Sequence, residues 1–146
     1  GFAKAVELVE ETREKESKRV GELRDYAWKG IMHLFQKAEI NGKVQIANSK
    51  ELVRLPNNLN FYIPPRQGSG QAGEQMLVAL DLKGIAISSG SACTARSTNP
   101  SHVLLAMGYD KVRAKNSLRI TLGRMTTKQE IDLFLLSLRG VLAAAI

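Results

Sequence analysis

Cysteine is nearly absent from this sequence: its 146 residues contain one, Cys93. No internal disulfide can form, and an unpaired thiol suits a reducing compartment, so a cytoplasmic location is expected. Histidine is almost as scarce. His33 and His102 lie too far from each other and from Cys93 to propose a metal site. His33 falls within a helical pattern and reads as a helix-surface or packing residue, and His102 follows Ser101 at a helix start. Aromatic residues make up only 5% of the chain. The basic residues therefore lack the interleaved rings of a base-stacking surface, and direct nucleic-acid binding is not expected despite the net charge of +7. No apolar run approaches the ~20 residues of a membrane span, so no transmembrane helix is expected. The opening residues Gly1-Phe2-Ala3-Lys4 do not build a signal peptide.

What is present describes an ordinary globular chain, 44% apolar and 24% charged, long enough to bury a core. Apolar residues recur at Phe2, Val6 and Val9, and again at Val20, Leu23, Ala27, Ile31 and Leu34, in steps of three and four. That spacing predicts one long helix. Its middle, Glu10 to Arg19, is almost wholly charged and has little apolar surface to bury, as if its packing neighbour lay elsewhere. Asn41-Gly42 ends the segment as a turn. Strands are predicted at Lys43–Ala47, at Leu59–Ile63 before Pro64-Pro65, and at Gly84–Ile87. A helix is predicted from Ala72 to Leu82, with Met76, Leu77 and Leu80 inward and Gly84 as its stop. A short helix from Val103 to Met107 closes at Gly108. Ser117 to Leu122 alternates, with Leu118, Ile120 and Leu122 on one side and Ser117, Arg119 and Thr121 on the other. Thr127-Lys128-Gln129-Glu130 is a capping box that opens a terminal helix with Ile131, Phe134, Leu135, Leu138 and Leu142 on one stripe. The order predicts an α+β fold, a small, mostly antiparallel sheet with helices on one face.

Two residues carry chemical interest. Cys93 sits in the run Ser88-Ser89-Gly90-Ser91-Ala92-Cys93-Thr94-Ala95-Arg96-Ser97, where small neighbours argue for an accessible thiol and Arg96 favours the thiolate. A lone cysteine is also a common small hydrophobe. Arg119 lies mid-strand on the side away from Leu118 and Ile120, where its guanidinium can offer two parallel donors to a carboxylate. It can equally pair with a neighbouring glutamate.

Three segments together resemble the cysteine desulfurases of the class V aminotransferase group. They are Gly84-Ile85-Ala86-Ile87-Ser88-Ser89-Gly90-Ser91-Ala92-Cys93-Thr94, Pro100-Ser101-His102-Val103-Leu104-Leu105-Ala106-Met107-Gly108, and Ser117-Leu118-Arg119-Ile120-Thr121-Leu122-Gly123-Arg124. Asn41-Gly42, Arg54-Leu55-Pro56-Asn57-Asn58-Leu59-Asn60-Phe61 and Gly73-Glu74-Gln75-Met76-Leu77 extend the resemblance over most of the chain. It implies the C-terminal small domain of a fold-type I pyridoxal phosphate enzyme, with residues 1–40 as a linker helix to a large domain and 41–146 as the small domain.

The same resemblance implies a function. The complete enzyme uses pyridoxal phosphate as an electron sink. It moves sulfur from L-cysteine onto Cys93 as a persulfide, releases alanine, and passes the sulfur to an acceptor or an iron–sulfur scaffold protein for cluster assembly or tRNA thiolation. Arg119 is implied as the clamp on the substrate carboxylate, and Asn41 as a further substrate-binding residue. Complete members are homodimers. No Ser-x-His-Lys-type cofactor lysine precedes Cys93, so the chain alone is expected to bind no cofactor and to be inactive. A stand-alone sulfur-carrier or interaction module and a piece of a selenocysteine lyase are the alternatives.

Overall fold

A computed structural model describes residues 1–42, 54–65, 72–89 and 99–144. The predicted long helix is α1, Phe2–Leu34. At ~1.5 Å per residue it runs roughly 50 Å, and its two halves differ. Phe2, Val6, Leu8 and Val9 are exposed, whereas Val20, Ala27 and Ile31 are buried. The helix stops where Phe35 turns extended (φ −145°) and donates its N–H back to the Ile31 carbonyl.

Among the described residues three antiparallel strands form the sheet, in the order β1 (Glu39–Ile40), β2 (Asn58–Tyr62), β3 (Ser117–Thr121). Glu39 lies opposite Tyr62, Phe61 opposite Leu118, and Asn60 opposite Arg119. Alternation along β2 and β3 sends Leu59, Phe61, Leu118 and Ile120 to one face. There they meet α1, α2 (Ala72–Asp81) and α5 (Lys128–Ala144) through Ala27, Ile31, Met76, Leu80, Ile131, Phe134 and Leu138. The second half of α1 therefore shares its core with the rest of the chain. Two short helices, α3 (His102–Ala106) and α4 (Lys111–Lys115), lie along the other face.

The local signals read from sequence explain most element ends. Gly84 (φ +76°) and Gly108 (φ +87°) adopt the left-handed conformation that stops α2 and α3. The Ser101 side chain caps α3 by accepting from the Leu104 N–H. The Thr127–Glu130 box closes in both directions: the Thr127 N–H donates to Glu130 Oε2 at 2.7 Å, and the Glu130 N–H donates to Thr127 Oγ1 at 3.3 Å.

One predicted strand did not form. The chain from Gly84 to Ile87 carries no ladder, and the sole pairing is a single bridge between Ser88 and Arg119. The reason lies in the turn before it, because the Ile85 N–H folds back onto the Leu80 carbonyl at 3.0 Å instead of joining β3. Ile85 and Ile87 are half-buried against the core. The strand predicted at Lys43–Ala47 lies outside the described residues. No helix among the described residues is long and apolar enough to cross a membrane.

Candidate functional site

The site lies on the polar face of the sheet, beneath α3. The alternation that buries Leu118 and Ile120 turns Arg119 to this side, with Asn58 and Asn60 of β2 beside it. Together with Asn41, Gly42, Arg54, Leu55, Ser101, Val103, Leu104 and Met107 they line a cavity of about 240 Å³. Its floor is amide and guanidinium; its roof and rim, from α3 and Leu55, are aliphatic.

Arg119 is fixed by its backbone, and its side chain makes no hydrogen bond or ion pair among the described residues. Its N–H and C=O both bond Ser88, at 2.6 and 3.1 Å. Its Nε is buried without a partner, and so are Arg54 Nε and Asn58 Oδ1. Each unmet buried polar atom costs ~1–3 kcal/mol. All three of these atoms belong to residues lining this one cavity.

Asn41 lines the same cavity as Arg119, but its side chain is already occupied. Nδ2 donates to Asn60 Oδ1 (2.7 Å) and Ser117 Oγ (2.8 Å), and Oδ1 accepts from Arg113 Nε (2.8 Å). That uses three of the four hydrogen bonds a primary amide can make. Asn41 therefore acts as a wall brace that fixes Asn60 and Ser117. Arg113 locks the brace in turn. It pairs with Glu39 at 2.6 Å and lies over the rings of Tyr62 and Tyr109, at 5.1 and 4.4 Å. Burial, followed by the charge of Asp110, raises the Tyr62 phenol above its ordinary range.

Arg54, within the Arg54–Phe61 motif, is a cavity residue that the sequence alone does not mark. It donates from Nη2 to the Asn41 carbonyl at 2.9 Å. Burial first, and the charge of Arg24 second, hold its guanidinium below the usual arginine range. Asn58 and Asn60 were also missed, although a signal existed: they alternate with Leu59 and Phe61, so a polar face was readable. Ser101 and the α3 aliphatics come to the cavity through tertiary packing.

Cys93 lies outside the described residues. Its covalent neighbourhood is still bounded, since Ser88, five residues earlier, is the residue bridged to Arg119. On the far side, Ser101 lines the cavity.

The cavity can hold the anionic end of a small molecule. Among the described residues, two guanidiniums and no carboxylate line it. Among the described residues, no lysine lines it that could form an imine, and no acid that could pair with a pyridinium nitrogen. The described lining therefore does not fit pyridoxal phosphate by itself, and it does fit an amino-acid carboxylate. No cluster of metal-ligating side chains occurs among the described residues.

Comparisons with known proteins agree on a family. The model for aminotransferase class-V matches residues 1–134. Cysteine desulfurase IscS of Clostridium botulinum (strain Hall) is 38% identical over 132 residues, covering 90% of this chain and 31% of that protein. The IscS-like cysteine desulfurase of Mycobacterium tuberculosis is 35% identical over 145 residues, covering 99% of this chain and 34% of that protein. Among solved structures, a NifS-like protein superposes with a TM-score of 0.73 at 28% identity, over 97% of this chain and 32% of the other. The NifS-like protein from Rickettsia africae gives 0.65 at 26% identity, over 87% and 29%. This chain thus spans about a third of the length of the relatives it matches.

Proposed function

This chain belongs to the class-V aminotransferase family, and from that premise we propose that it is the C-terminal, substrate-clamping and sulfur-accepting part of a cysteine desulfurase. The observation that carries the reading is Arg119: a backbone-fixed guanidinium with its buried Nε unpaired, lining a cavity with no acid among its described residues and joined by a β-bridge to the segment that leads into Cys93. The names of the matched relatives support the same activity.

Each residue has a part. Arg119 holds the substrate carboxylate with its guanidinium fork, which sets where the rest of the amino acid lies. Asn41 and Arg113 keep the floor of the cavity in place. The aliphatic groups of α3 exclude water from a small uncharged side chain. Cys93, as thiolate, receives the sulfur. The net change balances without an external oxidant: L-cysteine and the Cys93 thiol become L-alanine and the Cys93 persulfide. The family implies pyridoxal phosphate in the complete enzyme, where it would supply the electron sink for breaking the carbon–sulfur bond. Its anchoring lysine is assigned to the large domain, and the sulfur goes on to an acceptor or iron–sulfur scaffold protein. The complete enzyme is expected to be a cytoplasmic homodimer.

The test uses the polypeptide in which this chain is joined to a class-V large domain. Supplied with pyridoxal phosphate and L-cysteine, it should release alanine and gain the mass of one sulfur atom on the peptide containing Cys93. Replacing Cys93 with Ala should abolish that adduct, and its persistence would remove the assignment. Arg119→Ala should raise the apparent KM for cysteine at least tenfold, the loss of one charge-assisted contact. An unchanged KM would remove the clamp.

A further inference from the structure

Five half-buried arginines occur among the described residues: Arg19, Arg24, Arg54, Arg113 and Arg119. Three are paired with a carboxylate, Arg19 with Glu16, Arg24 with Asp25 and Arg113 with Glu39. The other two, Arg54 and Arg119, have no ion pair among the described residues, and both line the same cavity. Each also has a buried, partnerless Nε. A desolvated cation is ordinarily neutralised by a neighbour. Here the side chains of the described lining offer, besides the two arginines, only the neutral amides of Asn41, Asn58 and Asn60 and the hydroxyl of Ser101. Arg54 stands out further because burial, and after it the charge of Arg24, disfavour its charged form, outweighing the opposing pull of Asp25, which makes no ion pair with it. The missing counter-charge is therefore expected from a ligand.

We propose that Arg54 is a second binding residue for the ligand's carboxylate, so that the anion is held by Arg54 and Arg119 together and not by Arg119 alone. This rests on the reading of the cavity as the substrate site and goes beyond it by naming a contact and its consequence for specificity. Two guanidiniums make the site select strongly for a free α-carboxylate over an ester or amide of the same amino acid. The aliphatic roof of Val103, Leu104 and Met107 favours a small uncharged side chain beside it. Arg54 also ties ligand to scaffold, since its Nη2 bonds the Asn41 carbonyl whose side chain braces the floor.

Titration of the ¹⁵N-labelled chain with L-alanine, followed at the arginine Nε–H resonances, tests this directly, with L-alaninamide as the probe lacking a carboxylate. L-Alanine is expected to shift the Nε–H signals of both Arg54 and Arg119, and L-alaninamide neither. Arg54→Gln should weaken L-alanine binding roughly tenfold. Arg54→Lys, which keeps the charge without the fork, should fall between the two. If Arg54→Gln does not fold, the wild-type shifts and the lysine variant decide. A shift at Arg119 alone, with Arg54→Gln or Arg54→Lys binding like wild type, overturns the role of Arg54 and leaves the Arg119 clamp standing. Silence at both resonances overturns the clamp and this inference together.

Discussion

Arg19 and Arg119 are the same residue type put to opposite uses. Arg19, on α1, exhausts its guanidinium on the Glu16 carboxylate and on the carbonyls of Gly123, Arg124 and Thr126. It thereby pins α1 to the turn between β3 and α5. Arg119, on β3, makes no side-chain hydrogen bond among the described residues and leaves its Nε buried and unmet. The contrast extends to the two faces of the sheet. Under the long helices, Leu59, Phe61, Leu118 and Ile120 are almost fully buried, and the polar groups at the rim find partners. Under α3, the buried orphans gather around a cavity. One face supplies stability. The other forgoes some of it in the way ligand sites do, keeping polar atoms uncommitted until a ligand arrives.

Substitutions on opposite faces of the same strand pair should separate these roles most widely. Phe61 is fully buried and meets Trp28 ring to ring at 6.2 Å. Phe61→Ala should cost about 3–5 kcal/mol of unfolding free energy, read by urea denaturation. Arg119→Gln, diagonally across on β3, should change stability by less than about 1 kcal/mol, because it removes an unmet donor and not a satisfied one. Comparable losses from the two would erase the distinction between a packed face and a site face.

A second pair sharpens it at the glycines. A Cβ on Gly73 would come within 2.7 Å of the Lys115 carbonyl and 2.9 Å of the Asn116 Cα, both backbone, and the Gly73 N–H donates to Asn116 Oδ1. Gly73→Ala should therefore cost about 1–3 kcal/mol by the same measurement. Gly30→Ala meets only the tip of the Leu135 side chain, which can rotate away. Its helix-propensity gain of up to ~1 kcal/mol should offset most of the clash. Below these comes the cap of α5, where Thr127→Ala should cost about 1 kcal/mol. A null result there would mean that Arg19 and the turn it grips hold the helix start without the box.

Much of this was legible in the chain because the responsible signals are local. The alternation of Ser117 to Leu122 placed Arg119 away from the core. The Thr127–Glu130 box set the start of α5, and Gly84 and Gly108 set the ends of two helices. What escaped reading is tertiary. β1 is only two residues long, and Arg113 ties Glu39, Ile40 and Asn41 together from more than seventy positions away. α4 carries Lys-Val-Arg-Ala-Lys, with no apolar stripe to announce it; only the Asp110 cap, accepting from the Arg113 N–H at 2.7 Å, marked its start. The Gly84–Ile87 strand failed because periodicity cannot see a turn that folds the segment back on Leu80. Alternation marks the strand residues of the cavity floor, but nothing local in the sequence brings Arg54, Ser101 and the α3 aliphatics to it. Arg54 joins it from an irregular stretch, and its importance emerges only when its lack of a counter-ion is compared with Arg19, Arg24 and Arg113.

The smallest expected effect lies on the satisfied side and depends on pH. Tyr26 Oη donates to Asp132 at 2.6 Å, and Lys128 adds an ion pair at 3.3 Å while lying 4.6 Å from the Tyr26 ring. The Tyr26 hydrogen bond first, with Lys128 assisting, holds the Asp132 carboxyl below its usual range. A carboxyl that is more acidic folded than unfolded stabilises the fold above its unfolded pKa, and that contribution disappears as pH falls through the folded value. Lys128, raised first by Tyr26 and then by Asp132, behaves conversely: its contribution is present below the ordinary lysine range and is lost as pH rises through its folded pKa. Asp132→Asn should therefore lower Tm slightly at neutral pH, and the gap from wild type should close once the solution is more acidic than the folded carboxyl. Because both groups are solvent-facing, added salt should shrink the neutral-pH gap as well. A gap indifferent to acid and to salt would show that Tyr26 and Asp132 hold α1 to α5 by packing alone. The rim of the helix layer would then owe its stability to shape, and the contrast between satisfied and uncommitted charge would rest on the arginines alone.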